Sequence, residues 1–439
     1  MHRIVRAIEQ AGVVGAGGAG FPTHLKASAT ADTVIANYAE CEPLVASDTA
    51  VVLEDPGRVV AGLRLMQEAT GAEKAVVALK RKESRAVEAL EKLAATGSGF
   101  SLHLLDDVYP AGDEHVLVEE VTGRVVPQGG IPPQVSVLVS NVTTLWRVAL
   151  AEEGRPFTER FVTVCGEVKE PATLLVPLGT SVERLVDVCG GRASERCVLV
   201  LGGPMMGEIT EDWHSPVRKT TTAVIVLPED NPLVRKRRIS VSVGVRRAMA
   251  ACMQCSDCTL LCPRYLLGHQ LFPHKAMRSV AFWIRESEAE LASALLCSEC
   301  GLCGAFACTM ELSPVQVYQQ VKQELARLGT PSGFRREPVG PRPEREGRRI
   351  PTARLVARSG LGGYEAKAPA GRGLMEVDEV KIPLREKWGT LRAAVREGQT
   401  VEKGALVAVP GGAGTGARAH ASIRGTVKAV TEEFVHVAA

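Results

Sequence analysis

The chain has 439 residues, with 52 Lys and Arg against 50 Asp and Glu, a formal net charge of +2. So small an imbalance argues against nucleic acid or an anionic membrane as the main partner, and no apolar run approaches the ~18 residues of a membrane span. Hydrophobic residues make up 45% of the chain but aromatics only 4%, so a core spread over about three domains must be built from Val, Leu and Ala. The opening stretch Met1 to Gln10 has an early carboxylate, Glu9, and no long apolar run. That is not the pattern of a secretory signal, and the expected setting is a reducing cytoplasm.

Ile4, Val5, Ile8 and Ala11 recur at a helical period. Next comes Gly12-Val13-Val14-Gly15-Ala16-Gly17-Gly18-Ala19-Gly20-Phe21-Pro22. A Rossmann turn needs a strand directly before such a run; here a helix precedes it, so that turn is not expected. The glycines still let backbone N–H groups approach a flat or anionic ligand, and Lys26 offers a point charge for a phosphate. Taken alone, the stretch fits a glycine-rich surface loop equally well.

A strand from Val34 runs into a turn bearing Asn37, Glu40 and Glu42. Asp55-Pro56-Gly57 starts a helix carrying Val59, Val60, Leu63 and Leu65. Residues 75–79 read as a buried strand, 83–95 as an amphipathic helix and 100–105 as another strand. This alternation predicts a parallel α/β sheet, whose ligands gather at strand ends. Tyr109-Pro110-Ala111-Gly112-Asp113-Glu114 stands at one such end. A strand over 135–139 leads to Ser140-Asn141-Val142-Thr143-Thr144, a helix start rich in capping side chains.

From residue 160 the pattern changes. Phe161 to Val164 is a strand into the turn Cys165-Gly166, Thr180-Ser181 caps a helix, and Cys197 to Leu201 is a strand into Gly202-Gly203-Pro204-Met205-Met206-Gly207. Cys165, Cys189 and Cys197 are read as small buried hydrophobes. Met205, Met206, His269 and His274 have no matched ligand set and are read as structural.

The strongest signal lies between 252 and 308. Cys252, Cys255, Cys258 and Cys262-Pro263 form C-x2-C-x2-C-x3-C-P, the bacterial ferredoxin run for a cubane iron–sulfur cluster. Three thiolates two residues apart wrap one face of a cube, and the fourth reaches the neighbouring cluster. Cys252, Cys255, Cys258 and Cys308 are therefore assigned to one 4Fe-4S cluster, and Cys297, Cys300, Cys303 and Cys262 to the other. The second run departs from the pattern: it is C-x2-C-x2-C-x4-C, with Thr309 where Pro is usual. Zinc prefers paired C-x2-C units, and disulfides belong to oxidising compartments, so neither fits these triple runs as well. A helix is expected over 276–296 and another from Leu312 to Leu328. The Pro, Gly and Arg density of 329–351 predicts a solvated tether.

The segments GxGGAGFPTxxK, NxxExEP, YPxGxE and NVxT, in this order, resemble the flavin-binding 51 kDa subunit family of complex I. AECEP, YPAGDEH, VTGRVVPQGGIPP and SNVTTLW resemble more closely the C subunit of Rnf-type complexes and the PduS-like cobalamin reductases of propanediol-utilisation microcompartments. Residues 160–227 resemble a β-grasp SLBB domain. Val395 to Ala408 and His420 to Val430 resemble the barrel-sandwich fold of lipoyl and biotinyl carriers, without the carrier lysine. Its place at the C-terminus is the order of the PduS-like group.

The resemblance implies a multidomain α/β protein: a Rossmann-like FMN/NADH domain over 1–155, an SLBB β-grasp domain over 156–235, an α-helical two-cluster ferredoxin-like domain over 236–330, a linker over 331–351 and a barrel-sandwich hybrid domain over 352–439. It implies that Gly15, Gly17, Gly18 and Gly20 line FMN, that Lys26 and Asn37 contact it, and that Glu40, Glu42, Asn141 and Thr144 complete the pocket. Tyr109 and Gly112 belong to the same constellation, and Phe21 and Glu114 would face the nicotinamide nucleotide. No side chain is given a catalytic role, the chemistry being the cofactors'. Complex I has aromatics just after the lysine, where this chain has Ala27 and Ser28, and an acidic residue in place of Ala39.

The implied activity is oxidation of NADH, with electrons passing through FMN and two 4Fe-4S clusters to a one-electron acceptor. In the PduS-like group that acceptor is a corrinoid or a corrinoid enzyme such as an adenosyltransferase, and the setting is the cytoplasm or a bacterial microcompartment, with a shell protein as a further partner. The alternatives are a peripheral subunit of an Rnf-type ferredoxin:NAD oxidoreductase and a non-catalytic electron-transfer scaffold.

Overall fold

The computed structural model describes residues 2–282, 291–329, 337, 340–364, 370–412 and 415–439. Its N-terminal unit is a four-stranded parallel sheet in the order Ser101–Leu105, Lys74–Lys80, Thr33–Tyr38, Val137–Asn141. The strand expected over 135–139 starts later because Pro132–Val135 forms a 3-10 turn. The helix Pro56–Thr70 is set by its ends: Asp55 Oδ1 accepts from Arg58 N at 2.9 Å, Pro56 opens the first turn, and Gly71 closes it in the left-handed conformation. It crosses the helix Val142–Glu152 backbone to backbone, since a Cβ on Gly62 would lie 1.9 Å from the Leu145 carbonyl oxygen.

The second sheet has six strands, ordered Ala370–Leu374, Ala172–Pro177, Glu159–Gly166, Ala223–Pro228, Cys197–Leu201, Glu208–Thr210. One face packs Val162, Leu174 and Val224 with Cys189 and Cys197; the other packs Cys165, Val198 and Ile225. The three cysteines are buried, as expected of small apolar residues.

The cysteine-bearing segment is helical. Val241–Ala251, Pro273–Phe282 and Pro314–Arg327 enclose a core of Ala248, Leu271, Met277, Leu296, Val317 and Tyr318. Of the helix expected over 276–296, residues 283–290 lie outside the described residues, and Ser293–Leu296 is a 3-10 turn rather than α-helix. The extra residue of the second cysteine run is taken up in the π-helical turn Cys303–Ala307, where Cys308 N bonds Cys303 O at 3.1 Å.

Part of the expected tether, 330–336 with 338 and 339, lies outside the described residues. From 340 onward the chain is not a free tether. Arg342 N bonds Leu266 O at 2.8 Å, Arg345 pairs with Glu119 and Glu120 at 2.8 and 2.9 Å, and Arg349 pairs with Asp106 at 2.8 Å. Its arginines find carboxylates on the N-terminal unit, so the mixed charge that suggested solvation instead fastens the segment. Ile350–Pro351 then pairs with Val108–Tyr109, and Leu355 and Leu361 enter the core under the six-stranded sheet. The C-terminal β unit therefore begins near Glu379 rather than at 352. It consists of two four-stranded sheets sharing a core of Val380, Ile382, Leu391, Val407, Val427 and Val437. No helix of the described residues is long and apolar enough to cross a membrane.

Candidate flavin pocket and cluster sites

Thr33–Tyr38 and Val137–Asn141 lie side by side with Asn37 opposite Asn141. The chain leaves the first strand toward Lys74–Lys80 on its other side, so the two C-terminal ends flank a topological switch point, where α/β sheets bind ligands. The glycine-rich loop folds over this point. Gly15 N bonds Phe21 O at 2.8 Å, Gly20 N bonds Gly15 O at 3.0 Å, and Ala16 N bonds Thr144 Oγ1 at 2.8 Å. Gly17 sits so close to Asn141 that an added Cβ would lie 3.0 Å from its Nδ2, whereas Gly18, at φ +105°, faces open space.

Asn141 caps the helix Val142–Glu152 through Thr143 N at 3.0 Å and donates to Asp48 Oδ2 at 2.6 Å. Lys26 Nζ donates to Glu114 Oε1 at 2.7 Å and to Val139 O at 2.6 Å. Asn37 Nδ2 donates to Gly112 O at 3.0 Å. Gly17, Lys26, Asn37, Gly112, Glu114, Asn141 and Thr144 are thus linked by short contacts around the ends of these two strands, with Gly15 and Gly18 in the loop above. A cradle of backbone glycines, one lysine and a helix N-terminus suits a flat ring with a phosphate tail.

Three other residues of the expected set turn elsewhere. The Glu40 carboxylate accepts from Asp48 N at 2.9 Å, Thr49 N at 3.1 Å and Thr49 Oγ1 at 2.5 Å, fixing the helix Ser47–Glu54. Burial, and then the Asp48 carboxylate, push it up to about 8. The Glu42 carboxylate accepts from Met205 N at 2.8 Å and Met206 N at 3.0 Å. Burial pushes it up to about 7 against those donors. Gly203 carries no side chain because a Cβ would overlap Glu42 at 2.1 Å. Tyr109 OH donates to Cys300 O at 2.6 Å. Glu40 thus braces its own unit, while Glu42 and Tyr109 join that unit to the Met205–Met206 turn and to the second cysteine loop.

Two contacts had no legible signal in the sequence. Arg264 donates from Nε and Nη2 to Asp113 Oδ2 at 3.1 and 3.0 Å. Trp388, in the turn between Arg385–Glu386 and Gly389–Ala393, donates from Nε1 to Ala19 O at 2.7 Å and meets the Phe21 ring edge to face at 5.2 Å.

The cysteine turns are built from left-handed residues, Gln254 at φ +58°, Ser256 at +67°, Glu299 at +60° and Gly301 at +75°. Burial, followed by the neighbouring Cys308, Cys255 and Cys252, pushes the Cys258 thiol up to about 12. Burial and Cys297 push Cys262 up to about 12, and burial, Cys262 and Cys297 raise Cys300. Cys303 is raised by burial, then by Cys297 and Cys300. Thiolates gathered this closely would repel one another unless a cationic centre neutralised them, as the irons of a cluster would. Among the described residues no three His, Cys, Asp or Glu side chains converge as one ion would need; a cubane binds each thiolate at a separate iron, so its ligands stand apart. His269 Nε2 lies 3.1 Å from Val126 O, and His274 Nδ1 lies 2.7 Å from Thr259 Oγ1.

The Nuo51 FMN-binding domain family matches residues 8–150, the SLBB domain residues 161–208 and the 4Fe-4S dicluster domain residues 251–313. The class is that of electron-transfer proteins with an FMN-binding and a dicluster iron–sulfur domain. The cobalamin reductase PduS of Salmonella typhimurium (strain LT2) is 40% identical over 98% of this chain and 95% of its own, and that of Citrobacter freundii 39% over the same shares. The C subunit of the proton-translocating ferredoxin:NAD(+) oxidoreductase complex of Clostridium ljungdahlii is 35% identical over 59% of this chain and 55% of its own. The chain belongs to the PduS cobalamin reductase family.

Proposed function

We propose that the protein is an NADH-dependent cobalamin reductase that passes electrons through FMN and two 4Fe-4S clusters to a corrinoid. The observation that carries the acceptor is the end-to-end match with the cobalamin reductases, which takes in the C-terminal β unit; the Rnf-type relative matches only part of either chain. Bound FMN and cubane clusters would supply the conversion of an electron pair into single electrons.

The chain's own residues bind and align. Gly15, Gly17, Gly18 and Gly20 offer backbone to the flavin, Lys26 and the Asn141 helix start take its phosphate side, and Asn37 and Thr144 hold the loops in register. Phe21 and Glu114 face the dinucleotide. Glu40 fixes the helix start beside its own turn, and Glu42 and Tyr109 fix the pocket's loops to the neighbouring units. Cys252, Cys255, Cys258 and Cys308 hold one cluster; Cys262, Cys297, Cys300 and Cys303 hold the other. The Tyr109–Cys300 bond supports the latter as the cluster nearer the flavin.

The units run 1–155 for FMN and dinucleotide, 156–235 for a β-grasp SLBB domain and 236–330 for the clusters. The connecting segment and the barrel-sandwich domain follow, the latter's two packed sheets starting near 379. The corrinoid, an adenosyltransferase bearing it and a microcompartment shell are the proposed partners, in the cytoplasm.

Anaerobic reconstitution with iron, sulfide and FMN tests the reading. NADH should bleach the bound flavin, and cobalamin should be reduced in turn. Bound flavin that NADH leaves oxidised would remove the donor. Reduction of ferredoxin with no reduction of cobalamin would favour the Rnf-type role.

A further inference from the structure

Trp388 is the point where the C-terminal β unit reaches the glycine-rich loop. The residue is 41% exposed, unusual for the largest apolar side chain unless it has a partner to meet. It is nevertheless held: Nε1 is bonded to Ala19 O at 2.7 Å, its own carbonyl accepts from Thr415 Oγ1 at 3.0 Å, and Phe21 meets it edge to face. Gly20 lies against the indole, where a Cβ would come 3.6 Å from Cδ1. An aromatic side chain held in place yet partly exposed can stack a planar ligand with little entropy lost on binding.

A second observation points to the ligand's charge. Beside the same loop is a cavity of about 270 Å³, apolar along Phe157, Leu178 and Ile382 and charged along Arg218, Lys219, Arg385, Lys387 and Glu386, where Lys219 pairs with Glu386 at 3.5 Å and Arg385 with Glu432 at 3.5 Å. Lys387, which lines this cavity, directly precedes Trp388, and Gly20 borders both the cavity and the indole.

We propose that Trp388, with Phe21 at its edge, is the face on which a planar ring of the incoming dinucleotide stacks, the pyrophosphate lying toward Lys387 and Arg385. The C-terminal β unit is then part of the nucleotide site. The inference rests on the dinucleotide reading above.

The test uses the full-length protein, reconstituted with FMN and clusters, and NAD+ and ADP-ribose as ligands that leave the flavin oxidised. Dissociation constants are measured by calorimetry and by tryptophan quenching for the wild type, W388F and W388A. A stacked base is worth ~1–3 kcal/mol by alanine substitution, so W388A should weaken dinucleotide binding about tenfold or more. W388F should retain most of the affinity and lose the quenching, with flavin and iron content unchanged in both. Equal affinities in wild type and W388A would overturn the inference while leaving the donor intact. Weakened FMN retention with unchanged NAD+ affinity would also overturn it. Absence of any dinucleotide binding by the wild type would overturn the donor reading itself, and this inference with it.

Discussion

Arg264 clasps Asp113 through two nitrogens at 3.1 and 3.0 Å, and the two residues belong to different units. Arg264 stands two positions beyond Cys262, and Asp113 closes the Tyr109–Gly112 turn while its Oδ1 caps the helix Glu114–Thr122 through His115 N at 3.0 Å. Burial alone would raise the Asp113 carboxyl; the Arg264 guanidinium holds it below its ordinary range. Removing the arginine strands a buried carboxylate, at a cost of ~3–5 kcal/mol. R264A should therefore lower the melting temperature sharply, and D113N/R264A less than R264A alone. Anaerobic thermal melts check this; equal losses in the single and double variants would show that the pair is not coupled.

The exchange of ligands between the two cysteine runs has a direct test. If Cys252 and Cys308 serve one cluster, C252A/C308A keeps the other and about half the iron. If each run served its own cluster, the same double variant would lose both. Iron counts and the spectrum of the reduced protein distinguish these outcomes, with C252A/C262A as the reversed control.

Lys26 is the only cation in direct contact with Glu114 and the Val139 carbonyl among the described contacts of the pocket. A charge-assisted hydrogen bond contributes ~1.5–3 kcal/mol, so K26A should weaken FMN binding by about tenfold or more. Titration of flavin-free protein by fluorescence measures it. K26A that binds FMN as the wild type does would place the phosphate elsewhere.

Glu42 gives a pH dependence. Its carboxyl is raised by burial from 4.5 to about 7, so the fold retains a proton that the unfolded chain releases. Its contribution is full below the unfolded value and is lost as pH rises through about 7, on the order of 3 kcal/mol in all. E42Q removes the titrating group, and its stability should fall less than the wild type's between pH 5 and pH 8. Parallel pH profiles for the two proteins would refute the assignment.

The cysteine spacing and the order of the four glycine, acidic and capping motifs were enough to read a 4Fe-4S dicluster domain and an FMN-binding domain, because both depend on short-range geometry written in residue type and spacing. The alternation of strand and helix likewise carried the parallel sheet, since period and turn chemistry are local. Glu40 and Glu42 show where that reading ends. The turn they occupy is visible in the sequence, but their carboxylates go to Thr49 and to Met206, partners that only packing could supply.

The chain after 330 makes the same division clearest. Its proline and arginine content marks a connection, yet nothing in that composition says that Arg345 and Arg349 will meet carboxylates more than two hundred residues earlier. Nor does the period of the last strands say that their hairpin will carry Trp388 to Ala19, 369 positions away. Cofactor type was determined by the sequence, because ligand spacing is set within a few residues. The joining of the units, and which side chains face the pocket, were decided by the tertiary structure, because contacts at such separation depend on how whole sheets and cores are stacked.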